Sequence, residues 1–262
     1  MIQHFRFGSP IRTDSVVQDI PVSSDAVPFL TADADGWVYT MAPDAIVYGL
    51  GEMPRGINKR GWHYVANNTD ESHHGENKVS YYGAHNFLLI DGGPGGDLFG
   101  VFVDFPGKVH YDIGYTVHDT LRFATEEPDY ELYILTGADP NDIAHQFRQL
   151  IGRSYIPPKW AFGLQQSRWG YKTAEDVREV ARQYKENDLP LDMICMDIDY
   201  MQDYADFTIN KERFPDLAAL AAELKAQGIR LVPIIDAGVR IDPEEPTCTE
   251  GLEKGYFCKK ED

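Results

Sequence analysis

The sequence is poor in cysteine, with three in 262 residues: Cys195, Cys248 and Cys258. An odd count at wide spacing excludes a disulfide framework. Cys195 reads as a small core residue inside a strand. Cys248 and Cys258 lack the spaced His–Cys partners of a zinc site. Long apolar runs are missing too. No stretch approaches the roughly 18 residues of a spanning helix, and the first ten residues hold no apolar core of the signal-peptide kind. Positive charge is scarce: 24 Lys and Arg against 42 Asp and Glu, a formal charge of −18. Nucleic acid and anionic membrane both require a basic footprint, so neither is expected as a partner. The expected compartment is a reducing cytoplasm.

What is present is a globular composition, 43% hydrophobic, in a chain long enough for one large domain or two ordinary ones. The first half reads as β. Strands are expected over 36–41, 45–50, 86–90, 98–104, 108–113, 120–124 and 130–136, separated by turn residues such as Asp91-Gly92-Gly93-Pro94-Gly95-Gly96. Short strands without an intervening helical period imply an antiparallel sandwich. Between them, 53–82 reads as one long polar loop containing Asp70, His73, His74 and Glu76. Loops of that length are often functional. Its readings are a solvated surface loop, a metal site, or a loop that reaches another domain's site.

Asp139-Pro140 signals a helix start, with Gly152 as its C′ residue. The stiff run Arg153-Ser154-Tyr155-Ile156-Pro157-Pro158 follows, and the boundary is placed there, giving domains 1–152 and 153–262. Beyond it the pattern alternates: strand 162–168, a helix capped by Thr173 and Asp176, strand 193–199, a helix starting near Pro215, strand 230–236. Such alternation implies a parallel sheet. The organising stretch is Met193-Ile194-Cys195-Met196-Asp197-Ile198-Asp199, an apolar run ending in carboxylates. In parallel α/β folds ligands bind at the carboxyl ends of strands, so Asp197 is read as facing a ligand.

Six ordered fragments then carry a family resemblance. They are Tyr48-Gly49-Leu50-Gly51-Glu52, Ile156-Pro157-Pro158-Lys159-Trp160, Ser167-Arg168-Trp169-Gly170-Tyr171, Met196-Asp197-Ile198-Asp199-Tyr200-Met201, Asp206-Phe207-Thr208 and Ile234-Ile235-Asp236. Together they resemble glycoside hydrolase family 31, the α-glucosidase family, and most of all bacterial gut-type members. The resemblance implies an N-terminal galactose-mutarotase-like β-sandwich and the first part of a (β/α)8 TIM barrel, truncated after about three strands. It implies retaining hydrolysis of terminal α-linked glucose and an α-glucoside oligosaccharide as substrate; no cofactor or metal is expected. It implies that Asp197 binds glucose hydroxyls, chiefly the 4-hydroxyl. It further implies that Trp169 lines the sugar pocket, the other reading being a core tryptophan, that Ile198 and Val239 form its apolar wall, and that Asp70 reaches it on the long loop. Asp236 is site-lining or structural. Asp199 fits a carboxylate neutralised by an arginine, and Asp97 and Asp104 fit surface carboxylates.

A retaining hydrolase also needs a nucleophile and an acid/base. The family's Trp-x-Asp-Met-Asn-Glu-like stretch is absent, so both are expected beyond residue 262 and the chain alone is expected to be inactive. The competing readings are a non-catalytic carbohydrate-binding remnant and another specificity of the family: α-xylosidase, α-galactosidase or transglycosylase. A metal-dependent hydrolase built on His73 and His74 is more distant. Oligomeric state, a homo-oligomer included, is left open.

Overall fold

A computed structural model describes residues 1–259 of the chain. It forms two compact units, Met1–Ser154 and Tyr155–Asp262.

Unit one contains β1 (Ile2–Phe7), β2 (Thr31–Asp33), β3 (Gly36–Thr40), β4 (Ile46–Gly51), β5 (Trp62–Ala66), β6 (Ala84–Asp91), β7 (Leu98–Asp104), β8 (Val109–Ile113), β9 (Thr120–Thr125), β10 (Tyr130–Thr136) and α1 (Pro140–Leu150). They make two five-stranded sheets, β1-β10-β7-β6-β4 and β2-β3-β9-β8-β5, antiparallel throughout. The reason lies in side-chain alternation. In β8, Val109, Tyr111 and Ile113 point into the core while His110 faces water. That is the period of two that buries one face of a sheet. β7 instead is buried from Phe99 to Asp104. α1 explains this by covering the sheet's second face, packing Ile143 and Leu150 with Leu89, Phe102, Tyr133 and Leu135. Phe147 of α1 stacks on Phe87, ring centroids 3.9 Å apart. Asp139 caps α1 by accepting from the Asp142 N–H at 2.9 Å, and Gly152 lies past its end at φ +92. Only glycine tolerates that φ without strain.

One expectation for this unit is corrected. Residues 53–82 are not one structureless loop, because β5 occupies their middle and pairs with β8. Tyr64 and Ala66 are buried and alternate with the half-buried Val65 and exposed His63, a strand signal hidden between polar flanks. β1 and β2 were also not anticipated.

Unit two contains β11 (Gln165–Arg168), α2 (Ala174–Glu186), β12 (Met193–Met196), α3 (Leu217–Ala226), β13 (Arg230–Pro233) and α4 (Pro246–Lys254). The strands form a parallel sheet in the order β11-β12-β13, with Gln165 opposite Met193 and Met193 opposite Arg230. α2 starts with the expected capping box, Thr173 and Asp176 each bonding the other's backbone. Val177 and Ala181 of α2 and Leu220 and Leu224 of α3 pack on Ile194 and Met196 in one core. At roughly 1.5–3 kcal/mol for each large apolar side chain buried, this stripe outweighs the helices' modest intrinsic propensity. α4 was not anticipated, although Glu245 at its N-cap, Pro246 in its first turn and left-handed Gly255 after its end are all sequence signals.

All three strands are shorter than expected, and each has a local cause. Lys159–Phe162 forms a 3-10 turn before β11. β12 stops at Met196 because Asp197 caps a second 3-10 turn, Ile198–Tyr200. β13 ends at Pro233, and its last bond to β12 runs from the Ile234 N–H to the Met196 carbonyl at 2.9 Å, the residue where β12 itself stops. Asp197 and Asp199 therefore do not continue the strand face of Met193 and Cys195.

The capping box gives a direct test. Thr173→Ala should weaken the start of α2 by about 1 kcal/mol. Amide exchange at Asp176 and Val177 should then accelerate about fivefold. Unchanged exchange there would mean that packing alone holds the helix end.

Candidate functional site

The carboxyl edge of the β11-β12-β13 sheet gathers most of the sequence-predicted residues. Adjacent strands lie about 4.8 Å apart, so the residues leaving their ends are neighbours. Trp169 follows β11 directly. It is 67% exposed, and Gly170 beside it turns the chain at φ +129. An indole held out to solvent at a strand end offers an uncovered aromatic face. Asp197 follows β12 and is half-buried. Its Oδ1 accepts the Ile198 N–H at 2.7 Å, and no other hydrogen bond to its carboxylate comes from the described residues. One oxygen is thus pinned and the other is left to accept. Ile198 is half-buried and packs against the core beneath.

Asp236 lies beyond β13 in the left-handed region, φ 53, and is exposed. Val239 follows it and is half-buried. Two side chains of the preceding stretch tie the segment back. Tyr200 Oη donates to the Ile234 carbonyl at 2.8 Å, and the Gly238 N–H donates to Asp206 Oδ2 at 2.9 Å. Neither Tyr200 nor Asp206 was assigned a role from the sequence. Their signal was their place in the Asp197–Thr208 stretch, where buried polar groups must find partners.

Asp199 departs from expectation. It is only 3% exposed, and its Oδ2 has no hydrogen-bond partner; no arginine pairs with it among the described residues. Cys195 is half-buried, and burial pushes its thiol pKa up, as suits a packing role.

Asp70 belongs to the other unit, in the stretch that follows β5. That stretch folds back on itself through Val65 N–H to Val79 O at 3.0 Å, Thr69 N–H to Tyr81 O at 3.1 Å, and a Lys78–Glu71 ion pair at 2.6 Å. Asp70 is exposed, and Tyr82 Oη donates to its Oδ1 at 2.9 Å. His73 bonds Ser72 and His74 packs on Tyr81. No group of three or more His, Cys, Asp or Glu among the described residues is placed to hold a metal ion. Asp97 accepts from Tyr39 Oη at 3.1 Å. With burial, that carboxylate pushes the Tyr39 phenol pKa up to about 12. Asp104 is corrected: it is buried, not at the surface. Burial raises its pKa while Thr13 Oγ1 donates to it at 2.8 Å.

Residues 154–262 match the family model described as the glycosyl hydrolases family 31 TIM-barrel domain, and residues 19–112 match the glycosyl hydrolase 31 N-terminal galactose mutarotase-like domain. The chain belongs to glycoside hydrolase family 31. Alpha-glucosidase 2 of Bacillus thermoamyloliquefaciens is 40% identical over 214 residues, covering 81% of this chain and 27% of that protein. Human intestinal sucrase-isomaltase is 32% identical, covering 82% of the chain and 12% of that protein. Among solved structures, a Flavobacterium johnsoniae family 31 dextranase complexed with isomaltotriose superposes with a TM-score of 0.67 at 26% identity, covering 80% of this chain and 25% of that one. The chain thus spans about a quarter or less of these family 31 relatives. Its two units have the family's architecture, an antiparallel sandwich followed by the start of the barrel.

The exposure of Trp169 predicts that Trp169→Ala leaves stability within about 0.5 kcal/mol of the parent, as for surface positions generally. Urea unfolding checks this. A loss of about 2 kcal/mol or more would make Trp169 a packing residue instead.

Proposed function

We propose that this chain supplies the glucose-recognition face of an α-glucosidase that removes terminal α-linked glucose with retention. The observation that carries the reading is the Asp197 carboxylate: half-buried, fixed at one oxygen by the Ile198 N–H, and open at the other at the end of the central parallel strand. A fixed carboxylate accepts charge-assisted hydrogen bonds from vicinal sugar hydroxyls, and a sugar with one hydroxyl inverted or removed leaves that acceptor unpaired. Trp169 offers an aromatic face to the C–H face of the pyranose, Ile198 excludes water beside it, and Asp236 adds a further acceptor. The names of the relatives support the substrate: one is an alpha-glucosidase, and a dextranase structure carries isomaltotriose.

Cleavage itself requires two carboxyl groups about 5–5.5 Å apart, one attacking the anomeric carbon and one protonating the leaving oxygen. We assign neither role to a residue of this chain. Its residues bind and orient. They hold the non-reducing glucose by its hydroxyls while the ring flattens toward an oxocarbenium-like state, and hydrogen bonds that shorten during that change lower the barrier.

In the enzyme that contains this chain together with its nucleophile, Asp197→Asn should cost roughly 2–4 kcal/mol of transition-state binding while the fold persists. Turnover of p-nitrophenyl α-glucoside, with far-UV circular dichroism as the folding control, measures it. Near-parental kinetics would remove Asp197 from the site.

A further inference from the structure

The sandwich holds a second concave site, where β1, β3, β9 and β10 come together at one end of the two sheets. A cavity of about 550 Å³ opens there, within the ~300–1,000 Å³ range of small-ligand pockets. Four aromatic residues line it: Phe7 from β1, Trp37 from β3, Tyr130 from β10 and the buried Phe123 from β9. Phe7 lies 5.5 Å from Trp37 and 4.9 Å from Tyr130 between ring centroids, with planes tilted by 59° and 31°. The Trp37 indole N–H donates to Tyr130 Oη at 2.7 Å, which locks the indole in place. Phe7, Trp37 and Tyr130 are only partly buried, so that part of the wall stays open to a ligand. The rim carries exposed carboxylates, Asp35 from the β2–β3 turn and Glu126 and Glu127 after β9. Gly36 makes the pocket's shape possible. A Cβ there would sit 2.4 Å from the Phe123 carbonyl, so only glycine lets that turn close onto β9.

We propose that this cavity is a secondary, non-catalytic binding site for an α-linked glucose oligosaccharide. The aromatic wall takes the C–H face of one pyranose, and the rim carboxylates accept its hydroxyls. The reading rests on the proposed function for the class of ligand, but not on the same residues. In the second sheet β9 and β8 separate β3 from β5, the strand that leads to Asp70. The rim chemistry favours a neutral polyol over an organic cation. Glu126 already faces Lys108 Nζ at 3.5 Å and His110 Nε2 at 3.8 Å, and Asp33 nearby is held by Arg122. Much of the local negative charge is therefore balanced. A site of this kind keeps oligosaccharide on the enzyme between encounters and raises its effective concentration.

The test is a titration of the isotope-labelled 262-residue chain with maltotriose, followed by amide and indole N–H resonances. The expected result is a saturable shift of the Trp37 indole signal and of the Gly36 and Glu127 amides. The shift should weaken ~10-fold or more in the Asp35→Ala/Glu127→Ala double variant, whose changed side chains are exposed and leave the core untouched. Trp37→Phe, which keeps an aromatic but loses the bond to Tyr130, should weaken it as well. Shifts confined to the surroundings of Trp169 and Asp197 would overturn this site and leave the proposed function standing. A Trp37 response to tetramethylammonium but not to maltotriose would overturn it in favour of a cation site. A Trp37 response to maltotriose, combined with an unaffected Asp197→Asn enzyme, would support this site and remove Asp197 from the glucose-recognition face.

Discussion

The turn at Asp197 sets what the carboxyl edge of the parallel sheet can present. Its Oδ1 holds the Ile198 N–H, β12 stops, and the chain tightens into Ile198–Tyr200. Had the strand continued, Asp197 would have stood in line with Met193 and Cys195, and its charge would have entered an apolar layer at high cost. With the turn in place, the carboxylate is half-buried and keeps one free oxygen, while Tyr200 swings round to hold the exit of β13 through the Ile234 carbonyl. Position and chemistry at this edge follow from one local hydrogen bond and the parallel register that lines up the three strand ends.

Much of the architecture was legible in the sequence because it is written in periodicity and caps. β7 and β10 were anticipated with their observed bounds, since a continuous apolar run bounded by turns is a strong signal. Thr173 with Asp176 and Asp139 with Pro140 marked two helix starts for reasons of backbone chemistry that hold in any fold. β5 was hidden because its inward residues, Tyr64 and Ala66, lie among histidines, asparagines and glycines that read as loop. The end of β12 was misjudged where a side chain intervened, at Asp197, and β13 stops with its partner. No sequence period reports such an event.

The site was legible in a different way. The family fragments pointed to Asp197, Trp169 and Asp236, and the sheet brings these residues to neighbouring strand ends. Sequence reasoning did not find what fixes them. Tyr200, Asp206 and, in the other unit, Tyr82 act through long-range hydrogen bonds that only three-dimensional proximity reveals. The orphan oxygen of Asp199 is equally invisible in sequence.

The role proposed for Asp197 is to read the 4-hydroxyl of a terminal glucose. The most direct measurement is the ratio of kcat/KM for p-nitrophenyl α-glucoside to that for its 4-deoxy analogue, in the parent enzyme and in Asp197→Ala. The expected result is a preference for the hydroxylated substrate of at least about a hundredfold in the parent, collapsing toward unity in the variant. A preference that survives the substitution undiminished would contradict it, because some other group would then be recognising that hydroxyl.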